Sequence, residues 1–316
     1  MKKMMRVLSV FLMIVLFSMM VLGSGSETDT GKSETKALSG SEEKTPVDTA
    51  EKKTEAEIEK KAETEAPTPA VTIEEQLLFE ADGVTVTAKE YTVDKMWGDG
   101  IKLLIENNGS ADIGISCDAL IVNDYMISDL FSETVAAGKK SNSTLNLSTA
   151  SLKAAGIETV GKIEVYFHTF DAASYMTMTK LDCVTINTSA ADTVKTEKAD
   201  DGKELYNADG IRIVGKYVDE DSFWGAGILL FIENGSGKNI GVQASDLSVN
   251  GFMLTPIFSC AVYDGKMALS EITLLNSELE ENEIESIEEV ELKFHIFNED
   301  NYETIKDTEP ITFTTK

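Results

Sequence analysis

The chain carries the same residue pattern twice, at a constant spacing of 127 positions and without an insertion or deletion. Residues 78–189 correspond in this way to residues 205–316. Identical residues recur at matched positions along both copies: Asp82-Gly83 with Asp209-Gly210, Trp97-Gly98 with Trp224-Gly225, Ile105-Glu106-Asn107 with Ile232-Glu233-Asn234, and Phe167-His168 with Phe294-His295. A duplication of this kind predicts two domains of one fold. It also implies that a site used by both copies is formed by residues at matched positions, 127 residues apart.

Within each copy, short apolar stretches alternate with turn residues. Residues 83–88 alternate apolar and polar side chains, which predicts a strand with one buried face. Residues 101–106 are almost continuously apolar and predict a central strand. Turn residues follow at Asn107-Asn108-Gly109, Asn123-Asp124 and Ala137-Gly138, and we expect the first of these to close a hairpin. Turn signals at such short spacing are typical of an all-β sandwich.

We therefore expect about seven strands in each copy, which is the size and rhythm of an immunoglobulin-like β-sandwich. One segment departs from this pattern, because Leu152, Ile157 and Val160 have the spacing of a helical turn or an irregular corner. The acidic run of residues 278–291 occupies the same place in the second copy. A solvated face explains this run better than a cation site, since Lys153 stands in the corresponding stretch of the first copy.

The first residues have the features of an export signal. A basic start, residues 2–6, precedes a run of 17 mostly apolar residues, 7–23, and small residues follow. This order predicts a secretory signal peptide over residues 1–25, cleaved after Gly23 or Gly25. An uncleaved anchor is the alternative, although the run is shorter than the ~20 residues of a typical membrane span.

Ser24 excludes covalent lipid attachment in our interpretation. Val21-Leu22-Gly23 has the form of the start of a lipobox, whose next residue is the cysteine that accepts the lipid. A hydroxyl group cannot replace that thiol. We therefore expect no lipid anchor.

A polar linker follows the predicted signal peptide. Residues 26–76 carry 14 acidic and 7 basic side chains among Ser, Thr, Ala and Pro, with few residues to bury, and such a segment is expected to be disordered. The predicted order is a signal peptide (1–25), a disordered acidic linker (26–76), one β-sandwich (77–189, here repeat 1), an interdomain linker (190–203) and a second β-sandwich (204–316, here repeat 2).

Charge and cysteine content argue against a nucleic-acid-binding protein and against domains that each carry the same disulfide. The net charge of −27 would repel nucleic acid, whereas it permits basic partners, and solubility is its simplest explanation. Cys117, Cys183 and Cys260 have no cysteine at the matched position of the other copy, so no repeated disulfide is expected. An odd number of cysteines leaves at least one free thiol.

The only two histidines of the chain, His168 and His295, occupy matched positions in a predicted strand. His168 shares a strand face with Tyr166 and Phe170. One interpretation is a ligand-contacting edge of imidazole and aromatic groups. The other, which strand composition favours, is a half-buried sheet position. One histidine in each copy is too few for a zinc site.

Trp97 and Trp224 stand just before the central strand of each copy, next to a glycine. Either ring could stack on a sugar at the surface, although packing in the core or at its rim is the favoured interpretation. Residues 219–221 are Asp-Glu-Asp and offer carboxylates for calcium, but the first copy keeps only one acid there.

Signatures of catalysis are absent from the sequence. There is no glycine-rich phosphate loop, no Gly-x-Ser-x-Gly elbow and no His-Glu-x-x-His pair. We expect no catalytic, cofactor-binding or metal-binding residues and no enzymatic activity.

The motifs of the two copies resemble those of a known kind of domain. The Asp-Gly start, W-G-x-G-I, I-E-N, V-N-[DG]-[YF]-M and F-H-x-F together are similar to uncharacterised immunoglobulin-like domains of Gram-positive bacterial secreted proteins and lipoproteins. The resemblance covers both copies and implies a β-sandwich at the cell surface or outside the cell. It carries no activity with it.

The sequence therefore predicts an exported, non-enzymatic protein that presents two immunoglobulin-like domains for binding or adhesion, either secreted or at the cell surface. The partner would be an extracellular protein, peptide or glycan, with membrane contact only if the signal segment stays uncleaved. A passive spacer or partner-stabilising module of the cell envelope is the alternative, and an extracellular hydrolase is the third hypothesis. Exposed aromatic residues clustered in both copies would favour binding.

Overall fold

The computed structural model describes residues 71–94, 96–128, 131–222 and 225–314. The predicted signal peptide and all but the last six residues of the predicted acidic linker lie outside these ranges. Residues 66–316 belong to one compact unit. Among the described residues, no helix combines the length and the apolar character that crossing a bilayer requires.

Each repeat is built from ten strands and one short helix, within the described ranges. In repeat 1 these are β1 (Gln76–Ala81), β2 (Val84–Asp94), β3 (Gly98–Asn107), β4 (Ile113–Val122), β5 (Tyr125–Ile127), β6 (Ser132–Val135), β7 (Lys140–Asn146), α1 (Thr149–Ala154), β8 (Lys162–Asp171), β9 (Thr177–Lys180) and β10 (Val184–Asn187). In repeat 2 they are β11 (Lys203–Ala208), β12 (Ile211–Ser222), β13 (Gly225–Asn234), β14 (Ile240–Val249), β15 (Phe252–Met253), β16 (Ser259–Val262), β17 (Lys266–Leu275), α2 (Asn276–Glu281), β18 (Glu289–Asn298), β19 (Thr304–Asp307) and β20 (Ile311–Thr314).

The all-β prediction is confirmed, and every strand of repeat 1 has a counterpart about one repeat length later. The predicted number of about seven strands was wrong. The additional strands of repeat 1 are β1, which begins at Gln76 inside the predicted linker, and the four-residue strands β6 and β9. Strands this short have too few residues to show a period of two. The predicted helical turn is present as α1 and α2.

Two sheets form the sandwich of each repeat. In repeat 1 the order β1-β2-β3-β7 packs against β10-β8-β4-β5, with β6 also on β4 and β9 also on β8. In repeat 2 the order β11-β12-β13-β17 packs against β15-β14-β18-β19, with β16 on β14 and β20 on β18. The inward side chains of both sheets make the core, for example Val86, Ile105 and Phe167 in repeat 1.

The connection from β3 to β4 differs from the sequence prediction. The turn after β3 was expected to close a hairpin, but β3 pairs with β2 and β7, whereas β4 pairs with β5, β6 and β8. The prediction was wrong because an Asn-Gly turn reverses the chain without specifying whether both arms belong to one sheet. The chain crosses here from one sheet to the other.

A buried asparagine fixes each crossing. Asn107 is 1% exposed, and its Nδ2 donates to the carbonyl oxygens of Ala111 and Val135 at 2.8 Å each. Its Oδ1 accepts from the backbone N–H of Gly109 at 2.9 Å. Asn234 makes the same three contacts at the matched place in repeat 2, at 2.7, 2.8 and 3.0 Å. The amide thereby ties β3, the crossing loop and β6 together.

Removing this amide should destabilise the fold. Asn107→Ala or Asn234→Ala leaves one buried and one partly buried carbonyl without a donor, so we expect the free energy of unfolding in urea to fall by about 1–3 kcal/mol. Asn108 is exposed and serves as the control, because Asn108→Ala should change it by less than about 0.5 kcal/mol. Equal losses at positions 107 and 108 would contradict this role.

The two repeats dock through a pairing of β5 with β17. β5 lies parallel to β17, with Tyr125 opposite Met267 and Met126 opposite Ala268. The backbone N–H of Met267 donates to the carbonyl oxygen of Asp124 at 2.9 Å. One sheet of repeat 1 and one sheet of repeat 2 thereby become continuous.

Tyr125 is the centre of this contact. Its side chain is 1% exposed, and the ring meets Phe231 edge to face with centroids 6.4 Å apart. Its hydroxyl donates to the carbonyl oxygen of Glu197 at 2.9 Å and accepts from the N–H of Ala199 at 2.7 Å. The predicted linker, residues 190–203, is therefore held against the contact by hydrogen bonds.

A cluster of four charges borders the contact. Lys266 Nζ of repeat 2 lies 2.9 Å from Asp124 Oδ1 and 2.5 Å from Glu164 Oε2 of repeat 1. Lys162 Nζ lies 2.8 Å and 3.1 Å from the same two carboxylates. Partial burial opposes ionisation of Asp124, but hydrogen bonds from the two lysines outweigh it and lower the pKa of this carboxyl below 3.8.

Acid should loosen the contact between the repeats. The pKa of Asp124 is lowered in the folded protein, so its ionised carboxylate stabilises the contact fully above pH 3.8. This stabilisation is lost as the pH falls through the lowered pKa. We expect the Met267 amide to lose protection from hydrogen exchange over that range, after correction for intrinsic exchange. In Asp124→Asn the loss should be much smaller, and identical profiles would contradict the assignment.

Candidate functional site

Each of the two histidines is paired with a carboxylate. His168 in β8 has its Nδ1 2.7 Å from Asp118 Oδ1, and His295 in β18 has its Nδ1 2.6 Å from Asp307 Oδ1. The two carboxylates are not counterparts, because Asp118 belongs to β4 and Asp307 to β19, on opposite sides of the histidine strand. The same pair is thus formed twice from different strands.

Each carboxylate fixes how its imidazole is presented. Nδ1–H donates to the carboxylate, so Nε2 of the neutral ring is left as the acceptor. The histidine side chains are 19% and 34% exposed, which confirms the half-buried sheet position that strand composition favoured. The imidazoles are therefore partly accessible to solvent.

A row of aromatic rings continues from each histidine. We call His168, Phe170 and Tyr175 row 1, and His295, Phe297 and Tyr302 row 2. In row 1 the imidazole and phenyl centroids are 5.9 Å apart, and the phenyl and phenol centroids 6.0 Å apart at an interplanar angle of 20°. In row 2 the distances are 5.5 Å and 6.0 Å and the second angle is 24°. The two repeats thus present nearly the same construction of three rings.

A glycine lies beneath the middle ring of each row. Gly114 in β4 lies under Phe170, and Gly241 in β14 lies under Phe297. A Cβ atom at either glycine would collide with the phenyl ring. The absence of a side chain lets each phenyl lie against the sheet backbone, where it is 7% exposed.

Each row ends in an exposed tyrosine that a tight turn positions. Tyr175 is 77% and Tyr302 67% exposed, and their φ angles are 58° and 60°. A left-handed backbone costs an L-residue about 1–2 kcal/mol and is unusual for a bulky side chain. In row 1 the turn is held by Asp171, whose Oδ1 accepts from the N–H of Ser174 at 2.7 Å. Both repeats keep this costly conformation.

The sequence analysis found only part of the rows. It placed His168 beside Phe170 on one face, but it did not single out Tyr175 or Tyr302, because both lie in turns outside the strand pattern. The signal was present, since the two tyrosines are separated by the repeat spacing of 127 positions. The partners Asp118 and Asp307 carried no such signal.

Trp97 lies at the surface, away from row 1. It is 65% exposed at the tip of the β2–β3 hairpin, beside Val93 at 71% and Met96 at 80%. Asp94 Oδ1 accepts from the N–H groups of Met96 and Trp97 at 2.7 and 2.9 Å and so shapes the tip. The favoured packing role was wrong for Trp97. Trp224 lies outside the described residues.

Acidic groups concentrate near the rows. Burial raises the pKa of Glu299, which lies between Phe297 and Tyr302 in the sequence, and neighbouring Asp300 raises it further while Lys180 of repeat 1 lowers it. Burial also raises the pKa of Tyr263 to about 12, with Asp118 adding to the effect. Carboxylates therefore lie close to both rows, and Lys180, opposite His168 in β9, is a cation beside them.

Other candidate chemistry is not supported by the described residues. Among them, no three His, Cys, Asp or Glu side chains are placed to hold a metal ion, and none of the three cysteines forms a disulfide. Of the calcium candidate at residues 219–221, only Asp219 has a described side chain. Two open, polar clefts of about 420 and 500 Å³ lie beside Asn123. Both are lined by residues of repeat 1 and by Val194 and Thr196 of the linker, so neither is formed by matched positions of the two repeats.

Comparisons with known proteins identify no relative. Neither a protein family nor a curated protein matches the chain. Among solved structures, the YadV chaperone is 9% identical, covering 73% of this chain and 99% of its own, with a TM-score of 0.23. The Salmonella enterica SafA pilin–SafB chaperone complex is 11% identical, with 68% of this chain and 88% of that chain covered and a TM-score of 0.21. A Bacteroides uniformis β-glucuronidase is 12% identical, with 74% of this chain and 26% of that chain covered and a TM-score of 0.23. Similarities at such TM-scores carry no argument about function. The class that the fold defines is a tandem immunoglobulin-like β-sandwich protein.

The middle ring of each row should matter for stability and the terminal ring much less. Phe170→Ala or Phe297→Ala should lower the free energy of unfolding by about 3–5 kcal/mol. Tyr175→Ala or Tyr302→Ala removes one aromatic contact and should cost at most about 1 kcal/mol. Urea unfolding measures both losses. Equal losses of unfolding free energy for the phenylalanine and tyrosine variants would show that the exposed tyrosines stabilise the fold.

Proposed function

We propose that this is an exported, non-enzymatic binding protein that presents two immunoglobulin-like domains outside the cell and contacts its ligand with the aromatic rows. The observation that carries the proposal is the exposed tyrosine at the end of each row. Tyr175 and Tyr302 are held in the same left-handed conformation at matched positions. A backbone that costs free energy in both copies is more readily explained by a function of the ring than by packing.

The ligand that this geometry favours is a basic segment of a peptide or protein. A tyrosine face attracts an ammonium or guanidinium group, and each such contact contributes about 0.5–1 kcal/mol at an exposed site. The carboxylates of Asp118, Asp307 and Asp300 lie near the rows, and the whole chain carries a net charge of −27. This field attracts cations and raises the rate of their association.

The proposal of export is supported by the sequence of residues 1–25 and by the resemblance to Gram-positive secreted proteins and lipoproteins.

The proposal that the protein is not an enzyme is supported by the surroundings of the two histidines. Nδ1 of each imidazole is hydrogen-bonded to a carboxylate, and not to a hydroxyl or thiol that it could activate as a nucleophile. A hydrolase is the third hypothesis.

A passive spacer of the cell envelope is the second candidate function. The observation in its favour is the docking of the two repeats, which makes one continuous sheet from two sandwiches. A spacer needs such stiffness but does not need exposed tyrosines at matched positions. Binding measurements therefore separate the two functions.

The test is a calorimetric titration of residues 66–316 with a hexa-arginine peptide, compared with a neutral chito-oligosaccharide. We expect saturable binding of the peptide that weakens with salt. The double variant Tyr175→Leu, Tyr302→Leu should weaken it by about 2–5-fold for each ring, which corresponds to 0.5–1 kcal/mol.

Tyr217→Leu is the matched control, because this tyrosine is 59% exposed in β12, away from the rows. It should leave the affinity unchanged. Binding of the oligosaccharide instead, lost in the double variant, would keep the rows but replace the ligand class. No binding of either probe, or equal effects of all three tyrosines, would favour the spacer.

A further inference from the structure

The element of repeat 1 that docks on repeat 2 is present again in repeat 2, where it lies uncovered. Tyr125 of β5 is 1% exposed, whereas its counterpart Phe252 of β15 is 48% exposed. Met126 is half-buried in the contact, whereas Met253 is 67% exposed. The residues stay apolar in both places, although only the first pair is covered.

The uncovered strand is held in the same position as its counterpart. Asn123 Oδ1 accepts from the N–H groups of Gly161 and Lys162 at 2.9 and 3.0 Å, which fixes the turn before β5. Asn250 Oδ1 accepts at the matched positions, at 3.0 and 3.1 Å, and its φ of 50° is close to the 47° of Asn123. The docking strand of repeat 2 is therefore presented ready for the same contact.

We propose that the chain associates head to tail with further copies of itself, with β15 of one copy docking on β7 of the next. The geometry is that of β5 on β17 within one chain. β7 is the counterpart of β17, and it is the last strand of its sheet, paired with β3 alone among the described residues. Its outer edge offers the backbone groups that a further strand needs.

The charges of the two surfaces are complementary. Lys139 is exposed and stands at the position of Lys266, and Lys140, which pairs with Glu106 of its own repeat, follows it. On the other surface Glu291 stands at the position of Glu164, and Glu289 is exposed on the same strand, β18. Lys139 of one copy would therefore face Glu291 of the next, as Lys266 faces Glu164 within the chain, and Lys140 would add positive charge beside it.

The contact between copies is expected to be weaker than the one within the chain. Phe231, on which Tyr125 packs, is replaced in repeat 1 by Leu104, and Val214 is replaced by Thr87. A smaller apolar surface on β2 and β3 lowers the affinity. Because the two surfaces of the contact differ, association does not close into a symmetric dimer and continues to longer chains.

Cysteine cross-linking tests the geometry. The internal pair Met126–Ala268 corresponds to Met253 of one copy and Ser141 of the next. We would prepare Met253→Cys and Ser141→Cys separately, each with Cys183→Ser to remove the exposed native thiol. Oxidation of the mixture should give a covalent dimer of residues 66–316, because paired strands bring Cα atoms within disulfide range.

Each variant oxidised alone is the control and should give no covalent dimer. Dimers of Met253→Cys alone would show a symmetric contact and overturn the head-to-tail arrangement. The absence of any dimer in the mixture at high concentration would also overturn it. The proposed ligand binding does not enter this measurement, so the two proposals fail separately.

Sedimentation velocity tests the charge pairing. The untreated protein should sediment faster as its concentration rises, and added salt should reduce this effect. Reversal of charge in Lys139→Glu with Lys140→Glu should abolish the association. Combining it with Glu289→Lys and Glu291→Lys should restore the association. A protein that remains monomeric at all concentrations, or a restoring variant that does not recover, would contradict the proposal.

Discussion

The burial of Tyr125 between the repeats is the contact on which the rest of the architecture depends. One side chain packs on Phe231, while its hydroxyl both donates and accepts hydrogen bonds with the linker. The neighbouring backbone bond joins β5 to β17, and four charges enclose the edge. Without this contact the chain would be two sandwiches on a flexible linker. With it, the sheets are continuous.

Docking also determines what the rows can do. Row 1 and row 2 are carried by β8 and β18, and the contact between the repeats holds these strands in one arrangement. A ligand with two basic segments could then bind both rows, and the second contact would be intramolecular, which raises the overall affinity without any new interaction. If the repeats moved freely, binding of one row would raise the affinity of the other row for the same ligand by less.

The sequence was sufficient for the features that repeat along the chain. The duplication, the all-β class and the helical corner could be predicted, because apolar periodicity and turn residues report local structure. The crossing after Asn107 could not, since sheet membership depends on partners far along the chain. The docking of Tyr125 was equally hidden, because its residue type and spacing match those of the uncovered Phe252.

The candidate site shows the same division. His168 and His295 could be found from the repeat, and their half-buried place was foreseen. Their carboxylate partners could not be found, because Asp118 and Asp307 are not at matched positions. Trp97 was expected to pack, yet it lies exposed at a hairpin tip, since a large aromatic residue beside a turn does not reveal which way the turn faces.

Scanning calorimetry of residues 66–316 tests most directly whether the two sandwiches are one unit. If the contact around Tyr125 couples them, unfolding is a single transition whose van't Hoff enthalpy equals the calorimetric enthalpy. Two independent domains would instead give a van't Hoff enthalpy near half the calorimetric value. Such a result, unchanged in Tyr125→Ala, would contradict the account.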